Sequence, residues 1–346
     1  MLNFPTDVLK EWFVANRRAL PWRESPTPYR VWISEVMLQQ TQVAVVVPYF
    51  ERWMEAFPTI EALAHSPLEK VLKCWEGLGY YSRARNLHRA AGMIVERFEG
   101  RLPGCPQALA EIPGIGAYTR GALLSFAFRQ KYAAVDGNVL RVLSRFLACQ
   151  EEIDASHVKK RLQDYAEAIL PDEEPWSVSE GLIELGALVC GKKPKCTLCP
   201  LQRACGAYRH RLQDQLPKKR ARPRTIELVR QVAVIRCGGR YAVQKGTKGK
   251  LMADLYEFPY IEQATSEVTA LIGQFESALG MQLTYLKPLP VQKHTFTRYK
   301  ARLFPHLLEV IAPGSRYLWK TMEEINLLPF SSGHKRILID FFNNWY

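Results

Sequence analysis

Apolar residues recur every three or four positions through "VWISEVMLQQTQV" (31–43), "IEALAHSPLEKVLKCW" (60–75) and "RNLHRAAGMIVERF" (85–98). That spacing predicts amphipathic helices, and the texture persists to about residue 205. Further along, the period changes. "VRQVAVIRCGGRYAVQK" (229–245) reads as two strands joined at Gly238-Gly239, and "LTYLKPLPVQKHTFTRYKARLFPHLLEV" (283–310) continues in a strand-like, aromatic manner. The expected architecture is a mainly α domain over 1–207, a linker over 208–228 and an α+β domain over 229–346.

Between the two textures, residues 208–230 hold eight Lys/Arg against Asp214 and Glu227, with two prolines. This composition predicts a solvated basic connector, suited to lie against a polyanion. The 346-residue chain as a whole carries 47 Lys+Arg against 34 Asp+Glu, a net charge of +13. Such an excess favours polyanionic partners such as nucleic acid, because each phosphate contacted releases a condensed counterion and binding should weaken as salt rises; ordinary solvated lysine is the other reading. No run reaches the roughly 18 apolar residues of a membrane span. Asp7, Lys10 and Glu11 stand where a signal peptide is apolar, so the expected location is intracellular, in the cytoplasm or at the nucleoid.

Four of the eight cysteines are scattered; the other four, Cys190, Cys196, Cys199 and Cys205, fall within "CGKKPKCTLCPLQRAC". In a long chain with no secretion signal, that crowding reads as metal binding. One Cys-x-x-Cys with two longer arms suits a [4Fe–4S] cluster, with zinc as the alternative occupant. Lys192, Lys193, Lys195 and Arg203 lie in the loops, so the cluster can also brace a basic surface.

"EIPGIGAYTRGALLSF" (111–126) fits helix–hairpin–helix, with Gly114 and Gly116 letting the backbone approach a phosphate at a helix start. A plain glycine loop between packed helices is the other reading. Twenty residues past Gly116, Asp136 follows an apolar run in "AAVDGNVLRVLSR", with Asn138 close enough to orient it. Asp136 either faces the sugar of a bound nucleotide or caps the helix that begins near Val139. Glu35 shares a helical stripe with Gln39 and Gln42 beside Trp32, Ile33, Val36 and Met37. Desolvated there, it would stay protonated near neutral pH as a general acid; exposed, it is an ordinary surface residue.

Taken together, "LPWR" (20–23), "SEVMLQQTQV" (34–43), "GLGYYSRARNLH" (77–88), "IPGIGAYT" (112–119), "VDGNV" (135–139) and the cysteine cluster resemble the MutY family of adenine DNA glycosylases. The resemblance implies removal of adenine mispaired with 8-oxoguanine or guanine in duplex DNA, the target base being flipped into a pocket. By it, Glu35 protonates adenine and Asp136 stabilises an oxocarbenium-like sugar, with Tyr118 and Asn138 supporting Asp136 and the sugar. Gln40 and Tyr80 match residues that wedge into the base stack. Trp22, Arg23 and Glu180 match positions lining the adenine pocket. Related hairpin glycosylases that also cut the strand carry a lysine where this chain has Tyr118, and a phenol cannot form an imine.

The second domain resembles the Nudix-related C-terminal domain of the same family, which reads 8-oxoguanine. "LMADLYEFP" (251–259) has Tyr256 where tryptophan is usual, and no Nudix catalytic box follows it. "HTFTR" (294–298) offers Phe296 and Thr297 for lesion contact, with Arg298 in place of the family's histidine. The first gap of the cysteine cluster is five residues where the family has six. Two alternatives compete with adenine excision. One is an endonuclease III-like glycosylase for damaged pyrimidines, which Tyr118 and the second domain oppose. The other is a non-catalytic iron–sulfur DNA-binding scaffold, which the two carboxylates oppose. An electron-transfer protein explains neither the hairpin nor Glu35.

Overall fold

The computed structural model describes residues 4–221, 224–247, 252–262, 267–296 and 298–343. The chain forms two compact units, residues 1–65 with 85–221 and residues 66–84 with 222–346. Among the described residues, no helix is long and apolar enough to cross a membrane.

The first unit is helical. One core gathers Phe4 and Leu9 with Val139, Leu143 and Phe146 of helix Gly137–Phe146 and Val178, Leu182 and Leu185 of helix Pro175–Leu188. Each fully buried side chain of this size contributes about 1.5–3 kcal/mol. Gly186 is what lets these two helices close on each other. A Cβ there would sit 2.6 Å from Asn138 Cβ and 3.1 Å from Asn138 O. The missing side chain therefore fixes the start of helix Gly137–Phe146, where Asp136 and Asn138 stand.

The second unit is built on a sheet of β1 (Ile226–Cys237), β2 (Arg240–Lys245), β3 (Tyr256–Glu257), β4 (Tyr260–Ile261), β5 (Thr284–Pro288), β6 (Gln292–Phe296), β7 (Tyr299–Glu309) and β8 (Leu318–Lys320). The main path runs β3-β2-β1-β7-β5; β4 pairs with β1, β6 with β7 and β8 with β2. β1 and β7 are parallel, from Ile226 opposite Tyr299 to Arg236 opposite Glu309. Within β1, Val232 to Ile235 form a continuous apolar run because both faces are covered there. Val232 and Val234 pack with Ile337 and Leu338 of helix Ser332–Asn343, and Ala233 and Ile235 with Leu271 and Phe275 of helix Val268–Leu279. The hairpin expected at Gly238-Gly239 is present, Cys237 facing Arg240 across it.

Residues 66–84 depart from the sequence boundary at 207, since they belong with the second unit. Helix Leu68–Cys74 and the turn after it reach that unit by polar bonds. Glu69 accepts from Lys245 Nζ at 2.8 Å and from the Tyr256 hydroxyl at 2.7 Å. Lys73 Nζ donates to Leu328 O at 3.0 Å, and Glu76 Oε1 accepts from Phe330 N at 2.9 Å. A local hydrophobic period carries no trace of partners so distant in sequence.

Candidate active site

Helix Pro28–Leu38 opens on a proline and is capped by Thr27, whose hydroxyl accepts from Arg30 N at 3.3 Å. From Tyr29 to Met37 every residue except Arg30 is buried. Glu35 therefore sits inside the unit, 6% exposed. The stripe expected to join it to Gln39 and Gln42 is broken. The helix ends at Leu38, Gln40 turns left-handed at φ 61°, and Gln42 takes the extended position just before the following helix, Val43–Ala56. The polar run Gln39 to Gln42 has no apolar face to continue the first helix.

The Tyr118 hydroxyl donates to Glu35 Oε2 at 2.5 Å. Burial pushes the Glu35 carboxyl up to about 7; Tyr118 opposes that shift, while the nearby carboxylates Glu180 and Asp136 reinforce it. Near neutrality Glu35 is thus divided between acid and carboxylate, the condition a general acid requires. Burial also raises the Tyr118 phenol, followed by the charge of Glu35, so Tyr118 stays a donor.

Asp136 performs the capping role and lines the same cavity. Its Oδ1 accepts from Asn138 N and Val139 N, both at 2.8 Å, and its Oδ2 accepts from Asn138 Nδ2 at 2.7 Å. Burial raises its pKa and these donors oppose the rise. Arg141 fixes the Asn138 amide from behind, Nη2 donating to Asn138 Oδ1 at 2.7 Å and to Gly186 O at 2.9 Å. Its Nε donates to Cys190 O at 2.8 Å, which ties this network to the first cysteine of the cluster.

The cavity, about 560 Å³, is lined by Glu35, Tyr118, Asp136, Asn138, Trp22, Arg23, Gln40 and Glu180 among others. Trp22 is buried with its ring edge on Phe50, centroids 5.3 Å apart. Arg23 Nε lies 2.9 Å from Glu180 Oε2, and its Nη2 donates to Glu184 Oε2 at 3.1 Å. Gln40 is exposed at the cavity. Tyr80 belongs to the second unit, exposed and left-handed at φ 48°.

The hairpin runs from helix Pro106–Glu111 to helix Ala117–Ala122. Gly114 is left-handed at φ 82°, and a Cβ there would meet Asn86 Cβ at 2.8 Å. Gly116 is extended, and a Cβ there would meet nothing within 4 Å. Nothing inside the unit demands a glycine at 116; its bare backbone faces open space. In the second unit Phe296 is half-buried, its ring 5.1 Å from that of His294 and 5.5 Å from that of Tyr299. Thr297 lies outside the described residues.

Cys190, Cys196, Cys199 and Cys205 surround one cavity of about 30 Å³. Arg145 Nη1 donates to Cys190 Sγ at 3.3 Å, and Cys205 Sγ donates to Arg145 O at 3.6 Å. Among the described residues no three His, Cys, Asp or Glu converge to hold a single ion. Four thiols about one space can give one thiolate to each iron of a cluster or four to one tetrahedral ion. Burial, reinforced by the other thiols, pushes Cys199 up to about 12, so its thiolate form calls for a cationic centre.

Sequence reasoning missed Arg18, Glu184 and Arg145. Glu184 had a signal: in "PWSVSEGLIELGAL" the charged residues are Glu180 and Glu184, four apart on one face of a mostly apolar helix.

Residues 33–168 match the HhH-GPD superfamily of base excision DNA repair proteins, and residues 231–340 match the NUDIX domain. The adenine DNA glycosylase of Buchnera aphidicola subsp. Schizaphis graminum is 35% identical over 256 residues, 73% of this chain and 74% of its own. That of Homo sapiens is 32% identical, covering 95% of this chain and 72% of its own. A thermostable thymine-DNA glycosylase superposes with a TM-score of 0.55 at 27% identity, covering 59% of this chain and 95% of its own. A trapped endonuclease III–DNA covalent intermediate superposes at 0.52, also at 27% identity, covering 60% and 95%. The helical unit with its paired carboxylates, the sheet unit after it and these likenesses together make the chain a member of the MutY family of adenine DNA glycosylases.

Proposed function

We propose that this chain hydrolyses the N-glycosidic bond of adenine mispaired with 8-oxoguanine or guanine in duplex DNA, leaving the strand intact. The observation that carries the reading is one cavity holding a buried acid poised near pH 7 and a second carboxylate fixed by three donors. Glu35 gives its proton to a ring nitrogen of the extruded adenine. The C1′–N bond electrons pass to the base, and Asp136 stabilises the positive sugar left behind. Water then adds at C1′ and gives up a proton, so neutral adenine and an abasic site result.

Tyr118 and Asn138 act through the carboxylates in this scheme. Tyr118 keeps Glu35 from becoming too weak an acid, and Asn138 aims Asp136 Oδ2. Trp22, Arg23 and Glu180 line the space for the base; Gln40 and Tyr80 enter the stack where the base has left. Gly116 brings bare backbone to a phosphate, in keeping with the open space before it. Phe296, with Thr297, contacts the lesion opposite adenine. Cys190, Cys196, Cys199 and Cys205 would hold a [4Fe–4S] cluster, which supplies structural bracing of the basic loops around it.

The test is single-turnover cleavage of duplexes with a central A:8-oxoguanine, A:G, A:C or A:T pair, each analysed with and without hot alkali. Alkali-dependent breaks at adenine, fastest opposite 8-oxoguanine, are expected. Tight duplex binding with no adenine released from any pair would replace this reading with a silent scaffold.

A further inference from the structure

Glu184 is wholly buried, yet it is a carboxylate in an otherwise mostly apolar helix. All its acceptor capacity is directed at two arginines. Oε1 accepts from Arg18 Nε at 2.6 Å and Arg18 N at 3.2 Å. Oε2 accepts from Arg18 Nη2 at 3.0 Å and Arg23 Nη2 at 3.1 Å. Arg23 in turn reaches Glu180 Oε2 through Nε at 2.9 Å and Arg18 O through Nη1 at 3.1 Å. Every nitrogen of the Arg23 guanidinium is thus held. A planar guanidinium bonded on separate edges has no freedom to rotate, unlike a cation held at one point.

We propose that Glu184 is a positioning residue for base recognition: with Glu180 it clamps the Arg23 guanidinium, and the clamp sets how Arg23 meets the extruded base. The inference rests on adenine excision as the activity. Two carboxylates four residues apart on one helix face grip one cation, while Arg18 neutralises the second carboxylate. A lone buried glutamate would be costly; two glutamates against two arginines balance in charge. Glu180 faces the cavity with its pKa raised by burial, whereas the arginine donors hold Glu184 below its usual range against burial. Glu184 therefore stays anionic and serves as the fixed anchor.

The clamp also faces Glu35. Around that carboxyl stand Arg23 from helix Pro21–Glu24, Tyr118 from helix Ala117–Ala122, Asp136 at the start of helix Gly137–Phe146, and Glu180 from helix Pro175–Leu188; Glu184, Arg17, Arg18 and Arg129 line the same cavity. Arg23 pulls the Glu35 pKa down. Loss of the Glu184 charge leaves Arg23 less neutralised, so Glu35 ionises at lower pH.

Glu184→Gln keeps the size and the acceptor for Arg18 but turns an amide donor toward Arg23 Nη2. Expected are a single-turnover rate on A:8-oxoguanine about tenfold lower or worse, and duplex affinity within about threefold of wild type, since the substitution removes none of the chain's cations. The alkaline fall of the pH–rate profile should move to lower pH. Glu184→Asp, which keeps the charge, should restore the pH profile. In a cycle with Arg23→Lys the double variant should resemble the worse single variant, because both break one clamp. Wild-type rate and pH profile in Glu184→Gln, or multiplicative effects in the cycle, overturn the proposal. If Glu184→Gln does not fold, Glu184→Asp enters the same cycle and decides it. A wild-type enzyme that releases no adenine sinks the activity itself instead.

Discussion

The Tyr118 hydroxyl, 83 residues along the chain from Glu35, donates to its Oε2 at 2.5 Å inside the buried cavity. That bond favours the carboxylate form and partly offsets the burial that pushes Glu35 up to about 7. Tyr118→Phe removes it, so Glu35 should hold its proton to higher pH. The alkaline fall of the single-turnover rate should move upward by on the order of one pH unit. An unmoved profile would show that the phenol does not control this acid.

Glu35→Gln should abolish excision and stabilise the fold in alkali. The folded-state pKa is raised above the usual value of 4.5, so the native state binds the proton more tightly than the unfolded chain. Stability is then full below about pH 4.5 and declines as pH rises toward 7. Above that, the buried carboxylate costs on the order of 3 kcal/mol, which a neutral glutamine avoids. Denaturant melts at pH 5 and pH 8 check this: the variant should gain at pH 8 relative to pH 5. An equal difference at both pH values would mean Glu35 is not desolvated in solution.

Asp136 both caps a helix and carries charge, and Asp136→Asn separates the two. Asparagine caps as well as aspartate, so the two bonds from Asn138 N and Val139 N survive. The cost arises at Oδ2, because Arg141 fixes the Asn138 amide with its Nδ2 pointing at residue 136. Two amide donors would then oppose each other, a loss of about 1 kcal/mol. Excision should fall by about a hundredfold or more as the anion disappears. A thermal melt beside single-turnover rates separates the effects, and a rate loss no larger than the stability loss implies would reduce Asp136 to a cap.

What the sequence made legible is what depends on neighbours in the chain. The Asp136 cap, the Gly114 turn and the Gly238-Gly239 hairpin each involve residues within a few positions of one another. The contacts that join distant segments left no periodic signal. Glu69 meets Lys245 across 176 residues, so residues 66–84 read as part of the first domain. The end of the Glu35 helix was missed for a different reason: Gln39 to Gln42 fits a helical stripe by count, but the left-handed Gln40 breaks it. Resemblance supplied the partners Tyr118 and Glu180, whereas the Glu184 anchor needed the fold.

The cysteine site has its own check. The protein as purified should carry iron and acid-labile sulfide in equal amounts, and Cys199→Ser should lose both together with thermal stability. Arg145 links the site to the surrounding backbone, its guanidinium donating to the carbonyls of Cys190, Gly191, Lys192 and Leu216. Loss of the cluster should therefore loosen residues 190–216, measurable as faster amide exchange there. One zinc per chain without sulfide would overturn the iron–sulfur assignment.

Tyr118→Lys tests the proposal that the strand is left whole because residue 118 is a phenol. An amine at 118 can attack the C1′ aldehyde of an abasic site and expel water, forming an imine that borohydride reduces to a stable amine. In this cavity, however, a lysine would stand where the phenol meets Glu35, and the pair would ionise. Glu35 would then lose the proton that adenine release requires. The variant should therefore be trapped by borohydride on a duplex that already holds an abasic site, yet release adenine from A:8-oxoguanine more slowly than wild type. The wild-type protein should not be trapped on either duplex. Trapping of the wild type would assign the nucleophile to another amine, and a variant that releases adenine at full rate would sever Glu35 from the group at 118.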